Sequence, residues 1–224
     1  MSLLVLVRHG RAAFGADRYD TLSDLGRAQA AATGAWLAAH RPGIATLWQG
    51  PRRRHAETAA EITREGSIAA PVRVHAGLDE FGEGEELLAL AEARGERWGA
   101  PGEDGADLAR RRAYDRAIAA WAAGEGEIPG RPDFSTFRGH VRDWFTDVVT
   151  IEASRGRTEL AVTSAGVIAA VVCETLGLDD ERWLDLLRAL ANTSLTEIAF
   201  SGGRHGLRCF NAHGHLAPDL VTAI

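Results

Sequence analysis

The sequence predicts an α/β fold, a three-layer α/β/α sandwich with helices on both faces of a mostly parallel sheet. Three observations point there. Short apolar runs alternate with helical stretches, the connections between runs are of helical length, and the first run is apolar throughout, as in a strand covered on both sides. A chain of 224 residues can bury the core of one domain and is short for two, so a single domain over 1–224 is expected.

In chain order, residues 3–7 (LLVLV) form the first strand, bounded by Gly10. Ser23 can cap a helix whose apolar helical stripe is Leu25, Ala28, Ala32, Trp36 and Leu37. IATLWQG (44–50) is a second strand, RRRHAETAAEITREG (52–66) a second helix ended by Gly66, and APVRVHA (70–76) a third strand. The alternation then breaks. From about 83 to 132 the chain is rich in Glu, Arg, Ala and Gly, with Tyr114, Ile118 and Trp121 at helical spacing, and reads as a helical cap inserted into the domain. It resumes with a helix at 134–153, a strand at 159–164, helices at 166–177 and 180–191, and strands near 194–200 and 206–211, paired as a hairpin through SGGRHG.

Composition excludes several classes. The net charge is -6, opposite to the basic footprint of a nucleic-acid binder. No stretch approaches the roughly 20 apolar residues that span a bilayer, and the N-terminus opens directly on a strand without a secretory signal, so no membrane partner and a cytoplasmic location are expected. Cys173 and Cys209 lack metal-ligand spacing and read as buried thiols; no metal and no cofactor are implied. Every basic side chain counted in the charge is arginine, and runs such as Arg110 to Arg112 read as a solvated helix face.

In a parallel sheet, ligands bind at the carboxyl ends of the strands. Arg8, His9 and Gly10 occupy such an end, where Gly10 permits a tight backbone turn. LVRHG at the first strand, GPRRRHAETAAEI at the second helix and GLDEFGEGE after the third strand occur together in one order. With LSDLGRAQA (22–30), ANTSLTEIAF and FNAHGHL, this pattern resembles the histidine phosphatase superfamily, or phosphoglycerate mutase-like fold, over nearly the whole chain.

The resemblance implies that His9 is a nucleophile that takes up a phosphoryl group, and that Arg8 and Arg54 clamp the phosphoryl oxygens. Arg54 is the matching arginine because it precedes Thr58 by four residues; Arg52 and Arg53 read as solvated neighbours. Glu80, rather than the adjacent Asp79, stands where the family keeps its general acid. Thr58 and Gln29 are expected to support packing and helix ends.

Two departures matter. After the fourth core strand the family carries a second histidine that binds the phosphoryl group, and here AVTSAGVIAA places Ser164 at that position. A hydroxyl can donate one hydrogen bond but supplies no positive charge, and loss of one such group typically costs about 3–4 kcal/mol of transition-state stabilisation. His140, His213 and His215 are the histidines considered as replacements, each more simply read as an ordinary polar or core residue. The short path from His9 to the first helix also favours the phosphatase branches over the mutases. The expected activity is metal-independent hydrolysis of a small phosphomonoester, with specificity set by the cap. A weakened phosphate- or phosphoprotein-binding regulator and a phosphoglycerate mutase-type phosphotransferase are the alternatives. The oligomeric state is not legible, a homodimer being one option.

Overall fold

The computed structural model describes residues 1–13, 20–41, 43–100, 103–150 and 156–222. The elements are β1 (Ser2–Arg8), α1 (Asp24–His40), β2 (Ile44–Gln49), α2 (Arg53–Gly66), β3 (Val72–Val74), α3 (Gly84–Ala93), α4 (Ala106–Ala122), α5 (Phe134–Thr150), β4 (Thr158–Thr163), α6 (Ala165–Leu176), α7 (Asp180–Ala189), β5 (Leu195–Ser201) and β6 (Arg204–Ala212). Residues 151–153 of the expected 134–153 helix, like residues 14–19 on the path from His9 to α1, lie outside the described residues. β3 is shorter than expected: the chain passes from Val74 into a 3₁₀ turn at Ala76–Leu78, whose first turn is capped by the His75 side chain.

The described chain divides into two compact units, Met1–Asp79 with Val141–Ile224, and Glu80–His140. The first contains a six-stranded sheet in the order β3-β2-β4-β1-β5-β6. β3, β2, β4 and β1 run parallel, whereas β5 is antiparallel to β1 and β6 to β5. The mostly parallel α/β architecture is therefore the one the sequence predicts.

Alternation along the strands sends Val5, Val7, Leu47, Leu160 and Val162 to one face, where they pack with Ala30 and Leu37 of α1 and Ala59 and Ile62 of α2. Leu4, Leu6 and Ala161 point to the opposite face and are equally buried, which explains why residues 3–7 of β1 are apolar without a break. On that side Trp48 meets Trp144 of α5 edge-on, with ring centroids 6.3 Å apart. Burial of each large aliphatic side chain contributes about 1.5–3 kcal/mol. The β5–β6 hairpin turns through Gly202 (φ 56°) and Gly203 (φ 76°), the positive-φ pair that a two-residue turn between twisted strands requires.

The second unit has its own aromatic core. Phe81 stacks on Trp121 at 4.7 Å, and Phe134 and Phe137 close around the indole, whose Nε1–H donates to the Pro132 carbonyl at 3.2 Å. Arg110, Arg111 and Arg112 on α4 are exposed, as expected of a solvated face. Cys173 is buried and Cys209 partly buried, and both are thiols. No helix among the described residues is long and apolar enough to cross a membrane.

Candidate active site

Three parallel strand ends converge because of register. Arg8, at the end of β1, pairs with Thr163 at the end of β4, and Gln49 of β2 pairs with Val162 of the same strand. The residues just beyond these ends are His9, Ser164 and the segment that opens α2. This places chemistry from distant parts of the sequence along one edge, as strand carboxyl ends do in parallel sheets.

The exit from β1 is held tightly. The His9 N–H donates to the Thr163 carbonyl (2.8 Å), and Asn192 Nδ2 donates to the His9 carbonyl (3.0 Å). The Gly10 N–H donates to Thr58 Oγ1 (3.1 Å), and the Thr58 hydroxyl donates to the Arg54 carbonyl (2.7 Å), so the β1 exit is tied to the first turn of α2. Gln29 Oε1 accepts from the Arg11 N–H (2.9 Å) while its Nε2 donates to the Leu220 carbonyl (2.7 Å). Thr58 and Gln29 are thus structural ties, as the sequence suggests.

His9 lies 2.8 Å through Nδ1 from the Gly10 carbonyl. A carbonyl oxygen only accepts, so Nδ1 carries the proton and the neutral ring presents its lone pair at Nε2. Burial first, then the positive charges of Arg54 and Arg8 and the neighbouring His55, hold the His9 pKa well below its ordinary value. The ring is therefore neutral near pH 7, the state in which imidazole is nucleophilic.

Both guanidinium groups are nearly buried. Arg8 Nη1 donates to the Leu190 carbonyl at the end of α7 (2.5 Å). Arg54 Nη1 donates to Asp20 Oδ1 (3.2 Å), and the same carboxylate accepts from the Arg53 N–H at 2.8 Å. Asp20 thereby caps α2, which lacks a side-chain cap of its own at Arg52, and orients Arg54 at the same time.

Arg52 departs from expectation. It is 8% exposed rather than solvated, because its guanidinium forms an ion pair with Asp79. Arg53 is the solvated member of the run, paired with Glu57 on its own helix. Glu80 opens the second unit, partly buried, with its carboxylate accepting from the Phe81 N–H at 3.2 Å.

Ser164 is fully buried between β4 and α6, and its Oγ lies 2.7 Å from Nε2 of His55. The histidine that meets Ser164 is thus none of those singled out in the sequence. His140 is exposed, His213 Nδ1 contacts the Asn211 carbonyl (2.9 Å), and His215 Nε2 contacts Thr33 Oγ1 (3.0 Å). His55 is completely buried, with its ring centroid 5.7 Å from that of His9. Burial, then the charges of Arg54 and Arg52, depress its pKa far below the ordinary imidazole value. Its position immediately after Arg54 was the available signal.

The family model described as histidine phosphatase superfamily (branch 1) matches residues 4–213. The chain belongs to this superfamily. Solved structures with the histidine phosphatase fold superpose over most of its length. A phosphoserine phosphatase mutant from Entamoeba histolytica, in complex with phosphoserine, aligns with TM-score 0.64 and 18% identity, covering 97% of this chain and 100% of that one. YhfR from Bacillus stearothermophilus aligns with TM-score 0.68 and 20% identity over 96% and 99% of the two chains. The mycobacterial glucosyl-3-phosphoglycerate phosphatase gives 0.63 and 23% over 94% and 99%. No curated protein matches the sequence. Membership of the histidine phosphatase superfamily supports the expectation of a phosphoric monoester hydrolase.

Proposed function

We propose that this protein hydrolyses small phosphomonoesters through a phosphohistidine on His9, without a metal ion. One observation carries the reading: His9 donates from Nδ1 to the Gly10 carbonyl and so keeps the lone pair of its neutral ring on Nε2, under the charges of the Arg8 and Arg54 guanidinium groups. In the first step Nε2 attacks phosphorus and the bond from phosphorus to the leaving oxygen breaks. Arg8 and Arg54 hold the equatorial phosphoryl oxygens and offset the charge on them. Glu80, assigned by its place in the motif, gives its proton to the departing oxygen, which leaves as an alcohol. In the second step water attacks the phosphorus, the P–N bond breaks, and the proton lost by the water returns to Glu80.

The activities named for the Entamoeba and mycobacterial neighbours support a small phosphomonoester as the substrate class. Asp79 is committed to Arg52, which supports Glu80 as the acid. The test is turnover of p-nitrophenyl phosphate by the wild type and by His9→Ala. Turnover that disappears in the variant while inorganic phosphate still binds supports the proposal; equal turnover in both contradicts it.

A further inference from the structure

Ser164 occupies the N-cap position of α6, yet its side chain makes no capping bond to its own helix. Its Oγ is directed to His55 Nε2 instead, at 2.7 Å, with both residues completely buried. A hydroxyl that gives up a helix cap for a histidine in a site already lined by Arg8, His9 and Arg54 has a role beyond closing the helix. The ring is fixed on its other edge: a methyl group on Gly50 would lie 2.2 Å from His55 Nδ1, so the Gly50 backbone abuts that nitrogen.

The charged groups around His55 define what a ligand would do to it. Arg52 and Arg54 face it from the start of α2, and His9 from the end of β1. The two carboxylates nearby are engaged by the guanidiniums, Asp79 with Arg52 and Asp20 with Arg54. Without a ligand the ring is surrounded by positive charge and stays neutral. A phosphate dianion in the arginine clamp reverses the local sign.

Resting on the phosphatase reading above, we propose that His55 and Ser164 form a proton-coupled pair in which His55 is a positioning residue that makes Ser164 a hydrogen-bond donor to the phosphoryl group. In the unliganded protein neutral His55, protonated on Nδ1, accepts the Ser164 hydroxyl at Nε2. When a phosphate dianion enters, His55 takes one proton from solvent. Nε2–H then donates to the Ser164 oxygen, and the Ser164 hydroxyl turns to donate to a phosphoryl oxygen. The pair thereby delivers, from the first turn of α2 and the N-cap of α6 together, the positive charge that a serine alone lacks.

The test uses His55→Gln, Ser164→Ala, the double variant of these two, and the exchange variant His55→Ala/Ser164→His, each checked for a native thermal transition. Two readouts apply to all: kcat/KM for p-nitrophenyl phosphate between pH 5 and 8, and proton uptake on binding inorganic phosphate, from calorimetry in buffers of different ionisation enthalpy. His55→Gln should lower kcat/KM about hundredfold, the scale of one lost preorganised donor. It should also abolish the coupled proton uptake. Ser164→Ala should do the same, and the double variant should be no worse than either, because the two act as one unit. The exchange variant should recover activity to within about tenfold of wild type, since it returns one imidazole to the same space. Wild-type levels of turnover and unchanged proton uptake in folded His55→Gln, with His9→Ala inactive, overturn this inference alone. A wild type that neither turns over the ester nor binds phosphate overturns the phosphatase reading and this inference with it.

Discussion

Gly10 and Gly26 meet backbone to backbone: a methyl on Gly10 would lie 2.4 Å from the Gly26 carbonyl oxygen, and one on Gly26 would lie 2.2 Å from that of Arg11. The turn that aims His9 and the start of α1 therefore share a space that only two glycines leave open. Backbone, unlike a flexible side chain, cannot yield to the intruding atom. Gly26→Ala should destabilise the protein by about 1–3 kcal/mol, the range for overpacking, and lower turnover through displacement of the His9 turn. Gly139→Ala, at a helical position where a methyl meets nothing within 4 Å, is the control and should raise stability by about 0.5–1 kcal/mol. Urea titration and ester turnover check both.

Asp20 holds Arg54 through its side chain and caps α2 through the Arg53 N–H. Arg54→Ala should lower kcat/KM about 10²–10³-fold by removing half of the clamp. Arg54→Lys should recover little, because an ammonium cannot reproduce the planar fork. Asp20→Ala should act on both levels, raising KM and costing about 1 kcal/mol of stability for the lost cap. Steady-state kinetics beside thermal denaturation separate the two effects.

Asp79 and Glu80 are adjacent carboxylates, the first paired with Arg52 and the second assigned the acid's role only in the proposal above. Asp79→Asn removes the negative charge paired with nearly buried Arg52 and should destabilise the fold by about 1–3 kcal/mol. Glu80→Gln should leave stability unchanged and slow hydrolysis according to the leaving group. An alkyl phosphate, whose alkoxide needs a proton, should lose about 10²–10⁴-fold, whereas p-nitrophenyl phosphate should lose far less. Equal losses for the two esters would remove Glu80 from the acid role.

The legible parts of this molecule are those set by local pattern. The unbroken apolar run at Leu3–Val7 specified a two-sided strand, and its length put Arg8, His9 and Gly10 at the strand's carboxyl end. The glycines of SGGRHG specified the β5–β6 turn. Less legible were features fixed by packing between distant segments. β3 is a three-residue edge strand with Val72 and Val74 both exposed, so its apolar pattern overstated its length. Arg52, like Arg53, looked like a solvated neighbour of Arg54, and only the 3₁₀ turn that brings Asp79 to it makes it internal. The meeting of His55 with Ser164 joins residues 109 apart in sequence and depends on β2 and β4 lying side by side. A serine at the expected histidine position signalled that something had changed, without naming the residue that answers it.

Acid should weaken the fold in a defined window. His9 and His55 both have folded pKa values well below 6.5, through burial first and neighbouring arginines second. Above the unfolded value neither state is protonated there and stability is flat. As pH falls below about 6.5 the unfolded chain binds protons that the fold excludes, so each histidine removes up to about 1.4 kcal/mol per pH unit. Urea-unfolding free energies between pH 7.5 and 5.5 should show this slope, and His55→Gln should reduce it by one histidine's share. An unchanged slope in that variant would mean that His55 is not held neutral.

The most direct test of the account is the site of phosphorylation after rapid mixing with a phosphomonoester and denaturing quench. Phosphate bound to nitrogen, mapped to the peptide carrying His9, stable in base and labile in acid, absent from His9→Gln and rising before steady-state product release, is the predicted result. Acid-stable phosphate mapped to Ser164, or undiminished turnover by His9→Gln, would contradict it.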